Sequence, residues 1–467
     1  MFKARKVFFV LLSSMILLLL VLLIPTSVND DFDLISLPTK NDFVPLEVER
    51  VNTIYGSKQS EHLYDISILG SASTKNKKIY SSSVPEDEKI IHSSDFDNDL
   101  KFFYQALNKL SGKDTLIRVL HFGDSQIEGD RVSGKLRQSF QNLFGGCGTG
   151  FMPVSEHRVN RLNVIKYVAG WDRYKVFGSK ASGPHNKYGF LGYYHKMDSA
   201  NGNSYIQIKK KRRYFKGVNR AEKFTMLYSS LKPYKRTDVL VKNHTQKFDK
   251  EVVEGFVRKR TWSLDSFQNN SVNIKFKHDT AVDIYGISFD CKRGLAIDNV
   301  GLRGSSGTEF TKIDEANLKS QLQLLNVNLI VYQFGVNVIP YVVDDYKYYE
   351  NMVFRQLKLF KRLVPDAAIL VVGVSDMCQK KDGKFQSFPN IKKVILAQRN
   401  AAKRAKCAFW DLQKVMGGEG SMKNWVNAEP PLGEKDYTHF SRRGANLVGE
   451  KMFNALMSDF NNYTLSP

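Results

Sequence analysis

Ser125 and His439 have the sequence surroundings that a nucleophile and its base require. Ser125 ends the tripeptide Gly-Asp-Ser, which directly follows the apolar run 117–122. His439 lies three residues after Asp436, just ahead of a helical pattern that begins at Arg442. A serine hydroxyl becomes a strong nucleophile when a histidine accepts its proton, and a nearby carboxylate fixes the tautomer of that histidine. Each short motif alone is common, so the prediction of serine chemistry depends on further residues.

Two other segments could supply hydrogen-bond donors for a developing negative charge. The glycine-rich turn 301–307 (GLRGSSG) follows a strand-like stretch, and Gly335-Val336-Asn337 follows the apolar run 329–334. The four segments, in this order, resemble the motifs of the SGNH (GDSL-type) hydrolase superfamily. The resemblance covers about residues 116–456, with one large interruption.

The resemblance implies a role for five residues. Ser125 would be the nucleophile, His439 the general base and Asp436 the residue that orients it. The backbone N–H groups of Ser125 and Gly304 and the side-chain amide of Asn337 would form the oxyanion hole. Removing one such donor typically lowers the rate by a factor on the order of 10² to 10³. The resemblance implies no metal ion and no organic cofactor.

Two positions depart from the family pattern. Gln126 stands where a leucine usually follows the Gly-Asp-Ser tripeptide, and Val338 stands where an aspartate usually follows the Gly-x-Asn motif. Neither position carries chemistry in the family, so the set of catalytic residue types is complete. Gly301 and Gly307 lie close to Gly304 and remain alternatives for the second backbone donor.

The segments that must position these residues alternate between helix and strand patterns. The sequence predicts helices at 96–110, 315–325, 346–363, 391–405 and from 442 onward, and strands at 117–122, 329–334, 368–374 and 407–411. This rhythm is typical of an α/β fold with a parallel sheet covered on both faces. We therefore predict a three-layer, doubly wound SGNH-type domain over 95–150 and 291–467. Ser125, Asn337 and His439 would lie beyond the carboxyl ends of its strands, where such folds bind ligands.

Residues 151–290 interrupt this rhythm with short alternating runs, which predict an inserted β-sandwich. The segment contains 27 Lys and Arg against 12 Asp and Glu, a net +15 of the chain's +22. A basic surface of this kind either is simply solvated or attracts an anionic polymer such as a glycan. Nucleic acid is the less expected partner outside the cytoplasm. The densest basic run, the candidate for binding a glycan, consists of Lys209, Lys210, Lys211, Arg212 and Arg213.

The amino-terminal 25 residues predict a membrane anchor. Three basic residues precede 18 uncharged, mostly apolar residues at 7–24, which is near the minimum length that spans a bilayer. Aspartates follow, so the body is expected on the outer side of the cytoplasmic membrane, facing the periplasm or the exterior. An uncleaved signal anchor is favoured over a cleaved signal peptide. Residues 26–94 are polar and irregular and predict a flexible stalk, with an edge packed on the body as the alternative.

The four cysteines have no metal-like spacing. A Cys147–Cys291 disulfide at the base of the insertion and four unpaired thiols, which include Cys378 and Cys407, are both compatible with the sequence.

The sequence as a whole is similar to bacterial cell-envelope O-acetylesterases and to SGNH proteins of polysaccharide O-acetylation. It predicts an esterase or acyltransferase that acts on O-acetyl groups of an envelope polysaccharide or peptidoglycan. A membrane-bound O-acyltransferase is a conceivable partner. The main alternative is a non-catalytic glycan-binding or scaffold protein. A lipase or thioesterase is less expected because no apolar lid or acyl channel is evident.

Overall fold

A computed structural model describes residues 84–465 apart from a set of short stretches. These are residues 96, 111–114, 157–160, 162–163, 179–182, 198–202, 211–219, 231–237, 242–243, 248–256, 265–270 and 278–281. The predicted membrane anchor, most of the predicted stalk and basic residues Lys211, Arg212 and Arg213 lie outside the described residues. Within the part that is described, no helix is both long and apolar enough to cross a bilayer.

The described residues contain eight α-helices. They are α1 Lys101–Asn108, α2 Ser133–Phe144, α3 Glu315–Leu325, α4 Lys347–Leu363, α5 Ile391–Arg404, α6 Leu412–Met416, α7 Ser421–Asn427 and α8 Arg442–Leu465. Short 3₁₀ turns lie at Glu86–Glu88, Glu128–Asp130 and Phe310–Lys312. Helix α3 has the bounds that the sequence predicts because both ends are capped. The Asp314 carboxylate accepts a hydrogen bond from the backbone N–H of Asn317 at 2.8 Å, and Asn326 ends the helix in the left-handed region.

The described part of the chain also contains eighteen strands. They are β1 Leu116–Gly123, β2 Gly148–Met152, β3 Val164–Ala169, β4 Trp171–Lys175, β5 Tyr193–Met197, β6 Asn203–Lys210, β7 Lys223–Ser230, β8 Asp238–Val241, β9 His244–Lys247, β10 Arg258–Ser263, β11 Ser271–Lys277, β12 Val282–Asp290, β13 Gly294–Gly301, β14 Val327–Gln333, β15 Ala368–Val372, β16 Cys378–Lys381, β17 Lys384–Ser387 and β18 Ala408–Trp410.

The central sheet is parallel throughout and has the strand order β13-β1-β14-β15-β18. Its strands are nearly continuous apolar runs because both faces are covered by helices. Leu120 and Phe122 of β1 belong to the core shared with α3, α4 and α5. Ile117 and Val119 of the same strand belong to the opposite core, shared with α1, α2 and α8. The predicted α/β fold with a parallel central sheet is confirmed.

The helix predicted at 96–110 is shorter in the structure and spans Lys101–Asn108. The residues before it form turns that are held by side-chain hydrogen bonds to the backbone. The Asp99 carboxylate accepts a bond from the Ser93 N–H at 2.5 Å, and the side-chain oxygen of Asn98 accepts one from the Leu100 N–H at 2.8 Å. Aspartate and asparagine favour such local turns over a helical turn.

Residues 84–94, which fell within the predicted stalk, pack on the body. Ile91 and Phe409 exchange two backbone hydrogen bonds of 2.8 Å at the edge of the central sheet. The Glu88 carbonyl accepts a bond from the Trp410 indole at 2.9 Å. For these residues the structure follows the alternative that the sequence left open.

The described residues between 148 and 290 form two antiparallel sheets. One has the order β10-β7-β12-β5-β4, with β2 also paired to β12, and the other has the order β3-β6-β11-β8-β9. Ile206 and Ile208 of the second sheet share a core with Phe224 and Ile287 of the first. Two sheets that face one another across a common core have the arrangement of a β-sandwich.

Two buried connections lie where this β-structure joins the body. Cys147 and Cys291 form a disulfide across a sequence separation of 144 residues. Arg118 of β1 binds both Asp290 and Asp298, each at 2.6 Å, and all three side chains are buried. Cys378 and Cys407 are free and buried.

Candidate active site

Ser125 lies two residues beyond the end of β1, at the carboxyl edge of the central sheet. Gly123 ends the strand between β13 and β14, and a side chain there would meet the Gln333 carbonyl oxygen at 2.7 Å. Only glycine therefore allows the chain to leave the sheet at this point. Ser125 is only 7% exposed, so it is largely buried at this edge.

The structure brings Ser125, His439 and Asp436 together. The Ser125 Oγ lies 2.7 Å from the His439 Nε2, and the His439 Nδ1 lies 2.6 Å from the Asp436 Oδ2. An Nδ1–H that donates to the carboxylate leaves the Nε2 lone pair to accept the serine proton. This is the geometry in which the serine hydroxyl can be deprotonated as it attacks.

Asp436 is held in its ionised form by the loop that carries the histidine. Burial alone would raise its pKa, but hydrogen bonds from the His439 backbone and ring and from the Thr438 backbone outweigh burial and lower it. Both backbone N–H groups lie 2.9 Å from the Asp436 Oδ1. The carboxylate is thus fixed on one oxygen by the backbone and on the other by the ring.

Tyr437 fixes the conformation of the same loop. Its φ of +56° is unusual for a residue with a side chain, and its ring stacks on that of Phe385 with 3.6 Å between the ring centres. Its carbonyl accepts a hydrogen bond from the Cys378 N–H at 3.0 Å, which ties the loop to strand β16.

Asp124 connects the turn after β1 to the turn after β14. Its carboxylate accepts hydrogen bonds from the backbone N–H groups of Gln126, Gly335 and Val336 at 3.0, 3.1 and 3.3 Å. Burial raises the pKa of Asp124 to about 6, and these bonds offset burial only in part. The sequence analysis gave Asp124 no role, although it lies in the same tripeptide as Ser125.

Gly304 and Asn337 lie in the loops that follow β13 and β14, the two strands on either side of β1. The Asn337 amide donates to the Ser305 carbonyl at 2.9 Å, which uses one of its two hydrogens. Gly304 has a φ of +86° and faces open space, whereas a side chain at Gly301 or Gly307 would meet packed atoms of the protein at 2.9 or 2.5 Å. Among the three glycines, Gly304 is therefore the one with room for a ligand beside it.

Gln126 holds the histidine loop against the serine turn, a role that the sequence analysis did not find. Its side-chain NH₂ donates to the Thr438 carbonyl at 2.7 Å and to the Ser375 hydroxyl at 3.0 Å. Its side-chain oxygen accepts a bond from the Phe440 N–H at 3.2 Å. The residues on both sides of His439 are thus bound to the residue that follows Ser125. The one feature of the sequence that could have indicated this role is that Gln126 replaces the leucine usual in the family pattern.

The basic run 209–213 is described only at its start. Lys209 is exposed at the end of β6, with its ammonium 5.0 Å from the centre of the Tyr167 ring, and Lys210 ends the same strand. No metal-binding group of three His, Cys, Asp or Glu residues occurs among the residues that the structure covers.

A cleft of about 710 Å³ opens behind the histidine loop. Phe385, Pro431, Lys435, Tyr437 and Arg443 are among the residues that line it. Neither the serine nor the histidine of the hydrogen-bonded set reaches this cleft.

Comparisons with known proteins support the fold. No protein-family model and no curated protein sequence matches the chain. Among solved structures, a peptidoglycan O-acetylesterase has a TM-score of 0.65 and 19% identity, over 80% of this chain and 99% of the other. An acetyl xylan esterase (TM-score 0.28, 16% identity, 35% of this chain and 81% of the other) is also similar. A family two carbohydrate esterase from Cellvibrio japonicus is similar too, with a TM-score of 0.25 and 9% identity over 64% of this chain and 99% of the other. The last two TM-scores are too low to add to the assignment. The first shows that the chain has the fold of that esterase.

Proposed function

We propose that the protein is a serine esterase that removes O-acetyl groups from a glycan of the cell envelope. The observation that carries the proposal is the hydrogen-bonded series Ser125–His439–Asp436 at the carboxyl edge of the parallel sheet. Residues from two ends of the chain converge there in the arrangement that activates a serine hydroxyl.

In the proposed reaction, the Ser125 Oγ attacks the acetyl carbonyl carbon while the His439 Nε2 accepts the hydroxyl proton. The negative charge that develops on the carbonyl oxygen is stabilised by the N–H groups of Ser125 and Gly304 and by the Asn337 amide. When the intermediate collapses, the bond to the sugar oxygen breaks and His439 donates its proton to that oxygen. The acetyl group is then an ester of Ser125.

Water completes the cycle. His439 takes a proton from a water molecule, the resulting hydroxide attacks the acetyl-serine, and acetate leaves as Ser125 regains its proton. A sugar hydroxyl in place of water would make the same site an acetyltransferase. Hydrolysis is the simpler proposal, because the Asp436 side chain is half exposed and water therefore reaches the pair that His439 forms with Asp436.

Three observations support an envelope glycan as the substrate. The neighbour that shares the fold is a peptidoglycan O-acetylesterase by name. The disulfide between Cys147 and Cys291 is typical of proteins that fold outside the cytoplasm. The uncharged segment 7–24 would anchor the body at the outer face of the membrane. A membrane-bound O-acyltransferase that supplies acetylated glycan is a further partner in this proposal.

The test is hydrolysis of p-nitrophenyl acetate by the full-length protein in mild detergent. Ser125→Ala should lower kcat by a factor on the order of 10³ or more, because the nucleophile is lost. Ser320→Ala, which removes an exposed hydroxyl on α3, is the matched control and should retain full activity. A fluorophosphonate should label the wild type and not Ser125→Ala. If the wild type neither hydrolyses small acetyl esters nor is labelled, the protein is not a serine esterase. Glycan capture that is independent of Ser125 would then favour the binding-protein alternative.

A further inference from the structure

A small pocket of about 130 Å³ lies between the hydrolase body and the inserted β-structure. The body contributes Glu128 and Arg303 to its lining, and the insertion contributes Arg161, Arg173 and Lys175. We call this the cationic pocket. A buried water molecule needs about 10–15 Å³ on the same measure, so the pocket has room for a polar group of a substrate.

The residues that the hydrolase body contributes to the pocket are close in the chain to the proposed catalytic residues. Glu128 lies three residues after Ser125, and Arg303 immediately precedes Gly304. The two side chains form an ion pair of 3.1 Å across the pocket's edge. A substrate whose acetyl group reaches Ser125 would therefore extend next to this pocket.

Arg161 has a buried donor that the described protein does not satisfy. Its side chain is 3% exposed, and its Nε and Nη2 bind the Glu156 carboxylate at 2.7–2.9 Å. Its Nη1 is buried without a hydrogen-bond partner among the residues that the structure describes. A buried guanidinium donor that is left unpaired costs free energy.

Arg173 and Lys175 add positive charge that no neighbouring carboxylate neutralises. They lie two residues apart on β4 and therefore on one face of the strand. Their charged groups lie over aromatic rings, Arg173 at 5.6 Å from the centre of Tyr193 and Lys175 at 5.2 Å from the centre of Phe177. Neither forms an ion pair with a described residue.

The charges in the lining do not balance. Glu128 is paired with Arg303, and Glu156 is paired with Arg161. The positive charges of Arg173 and Lys175 therefore remain for a ligand. A solvated basic surface would explain these two side chains, which are half-buried, but it would not explain the buried, unpaired nitrogen of Arg161.

We propose that the cationic pocket binds a carboxylate of the substrate next to the acetylated sugar. The inference rests on the proposed esterase function and narrows its substrate class to acidic acetylated glycans. Arg173 and Lys175 would pair with the carboxylate, and the buried guanidinium of Arg161 would add to the positive potential that attracts it. A neutral acetylated glycan would leave Arg173 and Lys175 unpaired.

The kinetic test compares acetylated polygalacturonate with acetylated xylan. The wild type should have the higher kcat/KM on the acidic polymer. The double variant Arg173→Gln, Lys175→Gln should lower the acidic-to-neutral ratio by roughly two- to fivefold for each cation removed. Both side chains are half-buried on a strand face, so the variant is expected to fold. Arg355→Gln, an exposed charge loss on α4, should leave the ratio unchanged.

The binding test does not require catalysis. In a Ser125→Ala background, calorimetry should detect oligogalacturonates and not neutral xylo-oligosaccharides, and added salt should weaken the binding. The double variant should lose this binding. The same titration with muropeptides, whose carboxylates lie on a peptide, shows whether the pocket binds a carboxylate of a sugar or one of a peptide.

The two failures are distinguishable. If p-nitrophenyl acetate is hydrolysed but neither acidic ligand is preferred in kinetics or binding, the pocket proposal is wrong and the esterase stands. If acidic fragments bind through Arg173 and Lys175 but no ester is hydrolysed, the pocket is supported and the esterase proposal fails.

Discussion

Replacing Gln126 with leucine should separate the position of His439 from the stability of the fold. Leucine has a similar size, so the buried volume is largely retained while three hydrogen bonds disappear. Two of these bonds join Gln126 to Thr438 and Phe440, the neighbours of His439. Each lost bond contributes about 1 kcal/mol, and partners left buried without a bond add to the cost. We expect a loss of about 2–4 kcal/mol in unfolding free energy.

The Gln126→Leu variant should lose more kcat than its lower unfolding free energy explains. A displacement of about 1 Å at a catalytic group can lower the rate by about 10². We therefore expect kcat on p-nitrophenyl acetate to fall by about 10- to 100-fold at a temperature where the variant is fully folded. KM should change little, because Gln126 does not contact the substrate.

Gln141→Leu is the matched control for this variant. Gln141 is a buried glutamine on α2 whose amide donates to the Leu295 carbonyl at 3.1 Å, far along the chain from the histidine loop. It should lose stability without losing kcat. If Gln126→Leu keeps kcat within twofold of the wild type, or if both variants lose kcat equally, Gln126 does not position the histidine.

Three further predictions concern the same site. Asp436→Asn should lower kcat on p-nitrophenyl acetate by a factor on the order of 10⁴, because the ring loses the carboxylate that fixes its tautomer; an unchanged kcat would contradict the role of Asp436. Asn337→Ala should lower kcat by a factor on the order of 10² to 10³ with little change in KM, whereas a change in KM alone would place Asn337 outside the oxyanion hole. Asp124, whose pKa is raised to about 6, binds a proton in the folded protein at pH values where the unfolded chain has lost it. Its contribution to stability is therefore complete below about pH 4 and is lost as the pH rises through 6. Urea unfolding at pH 4 and pH 7 should show this loss, about 2 kcal/mol, in the wild type and not in Asp124→Asn.

The sequence predicted best what local periodicity controls. Helix α3 and strands β1 and β14 are long apolar patterns with clear ends, so their bounds agree with the structure within about two residues. The serine and histidine motifs were found because each lies directly beside such an element. The helix–strand rhythm predicted a parallel sheet with both residues beyond the carboxyl ends of its strands, and the two side chains lie 2.7 Å apart.

Other features depend on contacts between residues far apart in the chain. The role of Gln126 arises from bonds to residues more than 300 positions away, and that of Asp124 from bonds to the turn after β14. In strands β4 and β10, charged side chains interrupt the alternation that marks a strand in a sequence (WDRYK and RKRTWS). The pairing of Cys147 with Cys291 could not be chosen over free thiols until the folded ends of the insertion were seen to meet.

The bond between Cys147 and Cys291 makes the inserted β-structure a closed loop with respect to the rest of the chain. A protease that cleaves once between these residues would leave a single covalent molecule, and the fragments would separate only after reduction. After such a cleavage, the part of the chain that contains Ser125 and the part that contains His439 would therefore stay covalently joined.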